Sequence, residues 1–165
     1  MRIDYLTNHR ACIPTVAAWL HEQFGYLNPL ITLEQRLERL HLSSENSLPL
    51  TIIALSDDGQ IQGTASLNPS TLTHKHLTPW LSAVFVPPLY RGTGIASALA
   101  VRARLEAARL GHQHIYLFTP QNASLYARLG WRSFETTQIG DTVVTLMEAS
   151  TASSTQIADL LSATS

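Results

Sequence analysis

The chain has 165 residues, 45% of them hydrophobic, and eleven basic against twelve acidic side chains leave a formal charge of −1. That length suits one domain, and near-neutrality offers neither the basic footprint of a nucleic-acid binder nor a patch for an anionic membrane. No apolar run approaches the ~20 residues of a spanning helix, the N-terminus lacks a signal peptide's apolar core, and one cysteine, Cys12, allows no internal disulfide, so a cytoplasmic protein without a metal, nucleic-acid or membrane partner is expected.

The first strand is expected over Arg2 to Leu6, followed by a helix from about Pro14, a favoured first-turn residue, to Phe24, with Gly25 as its stop. A second helix is expected after Thr32, with Gln35 as the capping-box partner, Leu33, Leu37 and Leu40 on one stripe, and an end near His41. Asp-Gly between apolar runs predicts a hairpin of Leu50 to Leu55 with Ile61 to Leu67 around Ser56 to Gly59. Trp80 to Val86 reads as the next strand. Gly94 to Leu110 reads as a helix burying Ile95, Ala98, Val101, Leu105 and Ala108, stopped by Gly111. A strand over His114 to Phe118, a short helix over Asn122 to Leu129 and a strand pair, Arg132 to Thr137 with Thr142 to Met147, complete a mixed α/β sheet. The domain is assigned to 1–148. Residues 149–165 turn to Ala, Ser and Thr and read as a tail, with a helical turn around Gln156 to Leu161.

Residues 84 to 99 carry the chemistry. An extended Val84-Phe85-Val86 meets two prolines, then Arg91-Gly92-Thr93-Gly94 opens onto a helix. Glycines let backbone approach a ligand closely, and the helix start offers unpaired N–H groups and a positive dipole end, so a phosphate or pyrophosphate is the expected guest. A P-loop would need Lys-Ser/Thr where Ile95-Ala96 stand. A dinucleotide fingerprint would need a third glycine at Ser97 and an acid about 20 residues on, and His114 to Thr119 has none. Read locally, the same glycines fit a tight strand-to-helix turn.

Arg91-Gly92-Thr93-Gly94-Ile95-Ala96 fits Gln/Arg-x-x-Gly-x-Gly/Ala and resembles the pyrophosphate loop of the GNAT acetyltransferases. Downstream, Asn122 to Trp131 resembles that family's short helix ending in Tyr-x-x-x-Gly-aromatic, in the family's order. The resemblance implies the GNAT fold: an α/β, mostly antiparallel sheet whose parallel fourth and fifth strands splay apart, flanked by helices. It implies acetyl-coenzyme A as cosubstrate, without a metal. Amides from Arg91, Gly92, Thr93, Gly94, Ile95, Ala96 and Ser97 would hold the pyrophosphate, while Phe85, Val86 and Asn122 would meet the pantetheine arm. Tyr126 matches the tyrosine that protonates the departing thiolate.

Many relatives place a carboxylate base on the central strand, but Thr78 to Ala83 holds no acid. The base candidates are then Glu22, His21, His74 and His76, of which Glu22 is the working choice. Tyr26, His74 and Trp80 are expected to wall the acceptor cleft. A missing strand acid leans toward a weakly basic acceptor, since an α-amine loses its proton more readily than a lysine side chain. The expected activity is acetyl transfer to a small-molecule amine or a peptide amino terminus, by a monomer or homodimer. The alternative is a coenzyme A-binding sensor or partner domain without catalysis.

Overall fold

The computed structural model describes residues 1–71 and 73–151. In chain order the elements are strand β1 (Arg2–Tyr5), helices α1 (Ile13–Phe24) and α2 (Leu33–His41), strands β2 (Leu50–Leu55), β3 (Ile61–Asn68) and β4 (Trp80–Phe85), helix α3 (Ile95–Arg109), strand β5 (His114–Thr119), helix α4 (Ala123–Arg128), and strands β6 (Arg132–Ile139) and β7 (Thr142–Ser150). They form one seven-stranded sheet in the order β1-β2-β3-β4-β5-β7-β6. Every neighbouring pair is antiparallel except β4 and β5, which run parallel and share one register pair, Trp80 with Tyr116. This is the expected mixed α/β sheet with a fourth and fifth strand that part.

Strand alternation distributes the apolar residues between the two faces. One face places Ile52, Ala65, Leu67, Leu81, Ile115, Leu117 and Met147 against α3. The other places Ile53 and Leu55 against Val16, Ala17 and Leu20 of α1, and carries a smaller cluster of Trp80, Val144 and Leu146 with Tyr116 and Phe118 beside it. At Gly63 the first of these contacts is tight: a Cβ there would lie 3.1 Å from Ile95 and Leu99 side-chain atoms and from the Phe85 carbonyl.

Several expectations shift. Leu6 leaves β1 to start a 3-10 turn, Leu6–Asn8, and Val86 lies just beyond β4. The capping box of Thr32 and Gln35 is formed in both directions, but Leu33 is 40% exposed, because α2 turns only Leu37 and Leu40 toward α1. Gly25 ends α1 in right-handed geometry, with φ −58°, where a Cβ would lie 2.6 Å from the His21 carbonyl oxygen. Helix α3 buries Leu99, Ala100, Ala103, Arg104, Glu106 and Ala107 besides Ile95 and Val101, while Ala98, Leu105 and Ala108 are half-buried. More than one side of α3 is covered, so no single stripe describes it. Strands β6 and β7 outrun their expected ends, and β7 reaches Ser150, past the expected boundary at 148. The turn expected around Gln156 to Leu161 lies outside the described residues.

Two buried charges fix α3. Glu106 accepts a 2.6 Å hydrogen bond from Tyr5 Oη and ion pairs from Arg102 and Arg109. Burial pushes its carboxyl up, but the hydrogen bonds from Tyr5, Arg109 and Arg102 outweigh that and hold it below the usual carboxylate value. Arg104 spends its guanidinium on two carbonyls, Ser150 and Leu129, each at 2.8 Å.

Candidate functional site

Beyond Trp80 and Tyr116, strands β4 and β5 have no further ladder pair. Two neighbouring strands then present unpaired backbone groups to the gap between them. A bulge widens the break. On β3 Thr64 and Ser66 are two residues apart, whereas their partners Phe85 and Ser82 are three apart on β4. The extra residue falls in the stretch containing Ala83, which sits at φ +55°, a conformation costly for an alanine. A bulge bends its strand and leaves one residue outside the ladder, here at the edge of the gap.

A cavity of about 970 Å³ fills this gap. Its walls are Phe24 at the end of α1 and Tyr26 just after it, Val84 to Val86, the loop with Arg91, Gly92 and Gly94, the first turn of α3 through Ser97, and Asn122, Leu125 and Tyr126. Glycines 92 and 94 adopt φ +80° and +83° and a Cβ on either would meet nothing within 4 Å. Their role is therefore backbone conformation, which an L side chain resists. Gly94 is the N-cap of α3, and no side chain caps that terminus, so the first amides of the helix remain available to a ligand. Arg91 Nε donates to the Val86 carbonyl at 2.7 Å and its guanidinium lies 5.8 Å from the Phe85 ring centre. That hydrogen bond staples the loop to the end of β4 and occupies one of the carbonyls expected to meet a ligand.

On the opposite wall, Thr119 Oγ1 accepts from the Asn122 amide at 2.9 Å and turns the chain into α4. The Asn122 side chain makes no capping bond and is exposed. Tyr126 is buried, packs edge-on against Trp131 with ring centres 5.9 Å apart, and lines the cavity. Burial pushes its phenol up to about 12.

The structure thus gathers Phe85, Val86, Arg91, Gly92, Gly94, Ile95, Ala96, Ser97, Asn122, Tyr26 and Tyr126 around one cavity. Thr93 is not among the lining residues; its hydroxyl donates to the Tyr90 carbonyl at 2.8 Å inside the loop. Glu22 is exposed and does not line the cavity. Trp80 is 1% exposed and donates from Nε1 to the Leu77 carbonyl, so it is a core residue beneath the cleft. His74 lies against β6, its Nε2 3.0 Å from Glu135. His21 Nδ1 accepts from Arg36 at 3.3 Å. Gln23, Phe24, Leu125 and Arg128 also line the cavity, and sequence reasoning passed over them. Among the described residues no three His, Cys, Asp or Glu side chains converge as a metal site, and no helix is long and apolar enough to cross a membrane.

The family model described as "Acetyltransferase (GNAT) domain" matches residues 49–133. The chain belongs to the GNAT acetyltransferase family. No curated protein matches its sequence. Solved structures of GNAT proteins match its fold. An aminoglycoside 6'-N-acetyltransferase complexed with coenzyme A is 15% identical, with a TM-score of 0.72 over 93% of this chain and 98% of that one. The ribosomal-protein-alanine N-acetyltransferase of Brucella melitensis is 20% identical, with a TM-score of 0.72 over 91% and 99%. The spermidine N-acetyltransferase of Vibrio cholerae, in complex with coenzyme A and spermine, is 15% identical, with a TM-score of 0.70 over 92% and 95%. The matched GNAT segment runs from just before β2 to the start of β6, and so includes the splayed strands, the glycine loop and α4.

Proposed function

We propose that the chain transfers an acetyl group from acetyl-coenzyme A to the nitrogen of a primary amine. The observation that carries this reading is the parting of β4 and β5 directly beside the glycine loop, with Tyr126 on the facing wall of the same cavity. The residues present suit the cosubstrate. The positive-φ glycines and uncapped start of α3 suit a pyrophosphate, and unpaired strand edges suit the amides of a pantetheine arm.

In this reading the cosubstrate supplies an acyl carbon activated by its thioester. The amine nitrogen forms a bond to that carbon, the C–S bond breaks and a thiolate leaves. Backbone N–H groups of the Val84 to Val86 stretch, which lines the cavity, are the donors for negative charge on the carbonyl oxygen. Tyr126 Oη faces the departing sulfur. A phenol at about 12 lies roughly 3.5 pKa units above a thiol near 8.5. Full proton transfer from the phenol to the thiolate is then uphill. Tyr126 accordingly acts as a neutral hydrogen-bond donor to the thiolate, and water completes the protonation.

No carboxylate lines the cavity, so the reading places no protein carboxylate as base and takes an amine that loses its proton to water. Free-thiol release from acetyl-coenzyme A, measured across α-amines, ω-amines and polyamines, tests the function. Turnover on at least one amine class is expected. Coenzyme A binding without turnover on any of them favours the sensor reading instead.

A further inference from the structure

A second cavity, of about 880 Å³, lies between the β3–β4 loop and the tip of the β6–β7 hairpin. Thr73, His74, Lys75 and His76 line one side, and Thr137, Gln138, Ile139 and Gly140 the other. It opens on the α1 side of the sheet, the face that carries Trp80, Tyr116 and Phe118. Tyr116 and Phe134 stack toward His74, with ring centres 6.3 Å and 6.4 Å apart along the row.

Register places this cavity relative to the gap between β4 and β5. Glu135 pairs with Leu146, and Leu146 pairs with Phe118. Phe118 lies two residues beyond Tyr116, where β4 and β5 have already parted. The His74–Glu135 pair therefore stands level with the gap and two strand spacings from β5, which is about 10 Å.

The charges are one-sided. Neither cavity has an acidic lining residue. Lys75, the only lysine of the chain, is exposed and makes no ion pair among the described residues, and His76 stands beside it. Of the two carboxylates nearby, Glu135 is taken by His74 Nε2 at 3.0 Å, and Asp141, next to Gly140 at the hairpin tip, is exposed and outside the lining. Because a carboxylate only accepts, Nε2 carries the proton and Nδ1 faces away with a lone pair. His74 Nδ1 and the neighbouring Thr73 Oγ1 are buried with no hydrogen-bond partner among the described residues, a cost that a polar ligand reaching them would remove. Thr73 Oγ1 is a donor that a ligand carboxylate could accept from, with the Lys75 ammonium beside it as counter-charge.

We propose that this second cavity is the distal acceptor subsite, and that it takes a carboxylate at least about 10 Å from the amine being acetylated. The assignment rests on the acetyltransferase reading above. Extended peptide spans 3.3–3.6 Å per residue, so a short peptide with a free carboxyl end, its α-amine in the gap and its carboxylate at Lys75, is the fitting acceptor class, and a tripeptide is the shortest that reaches. A polyamine is the opposite case, since it would bring cations to a wall that already holds Lys75 and two histidines.

Two measurements separate this proposal from the function it rests on. First, the amines open to a reagent such as trinitrobenzenesulfonate are Lys75 and the α-amino group, and peptide mapping distinguishes their adducts from each other and from any on Cys12. Trialanine is expected to slow modification of Lys75 at least fivefold, while trialanine amide and spermine leave it unchanged. This readout needs no turnover. Second, kcat/KM for trialanine is expected to exceed that for trialanine amide at least tenfold. In Lys75→Gln and Thr73→Val that ratio falls at least fivefold, with melting temperatures reporting that both variants fold. Equal protection by acid and amide, or an acid-to-amide ratio of one or below in the unaltered enzyme, overturns the subsite. Protection of Lys75 with no acetylation of any amine would retain the subsite and refute the acetyltransferase reading.

Discussion

Replacing Tyr126 with phenylalanine separates catalysis from stability. Tyr126 Oη reaches the cavity without a hydrogen bond to any described residue, and the ring is held by Trp131 and the core around it. Phenylalanine keeps those contacts and removes a hydroxyl that opens on the cavity with no partner among the described residues. Desolvating an unpaired hydroxyl costs about 1–3 kcal/mol, partly relieved here by water in the cavity, so Tyr126→Phe should raise stability by about 0–1 kcal/mol. For a chain of this size each kcal/mol moves Tm by about 2–4 °C, and thermal unfolding should show a Tm unchanged or slightly higher. Catalysis should move the other way. One positioned hydrogen-bond donor to developing negative charge contributes about 10²–10³ in rate, so kcat for acetyl transfer should fall by about 10² with coenzyme A affinity within about threefold. Alkaline unfolding supplies a third reading. The folded phenol titrates at about 12 against an ordinary value of 10.0, so the unfolded chain ionises first and stability falls as pH rises between those values. Tyr126→Phe should flatten that limb. A Tm loss above about 4 °C would place an unseen partner on the hydroxyl, and a kcat within threefold would remove the residue from the chemistry.

Gly94→Ala forces a Cβ into left-handed geometry, which costs about 1–2 kcal/mol. With nothing within 4 Å to clash, the loss should appear as a lower Tm and as coenzyme A binding weakened about tenfold in calorimetry, because the loop relaxes away from its ligand-ready shape. Arg104→Met leaves the Ser150 and Leu129 carbonyls without their donor. It should cost about 3 kcal/mol, read as a Tm drop of about 6–12 °C. Glu106→Gln tests acid stability. The folded carboxyl is held below the ordinary value, so its stabilising contribution is present at neutral pH and is lost as pH falls through the folded value. The glutamine variant should start less stable and show a shallower acid limb in urea titrations. Thr32→Ala removes the capping box of α2 and should cost about 1 kcal/mol; a Tm shift below 1 °C would show that α2 is held by packing alone.

Features written in local sequence were legible. The Thr32–Gln35 box, the Asp-Gly hairpin and the glycines before α3 each depend on residues a few positions apart, and each formed as expected. Long-range features were not. Nothing in Thr78 to Val86 marks the bulge at Ala83, since register is decided by two other strands. Arg104 and Glu106 look like a solvated helix face until Tyr5 and the ends of α4 and β7 are folded onto them. The polar β6 ends where pairing with β7 ends, not where its apolar residues do. Trp80 reads equally as a cleft wall or a core residue, and only its burial decides. The partner of His74 lies 61 residues away at Glu135, out of reach of any spacing rule.

Arg104 gives α3 a second duty. The helix starts at the glycine loop, and ten residues on from Gly94 its guanidinium grips Leu129, the residue that closes the helix carrying Tyr126. At 1.5 Å per residue that interval is about 15 Å, so in the proposed acetyl transfer α3 would work as a gauge block between the glycine loop offered to the cosubstrate's phosphates and the Tyr126 hydroxyl offered to its sulfur. Substitutions on α3 between Gly94 and Arg104 leave that spacing intact. A one-residue deletion between Gly94 and Arg104 would shorten the gauge and swing Arg104 about a quarter-turn around the axis, taking the two ends of the site out of step while each remained locally whole.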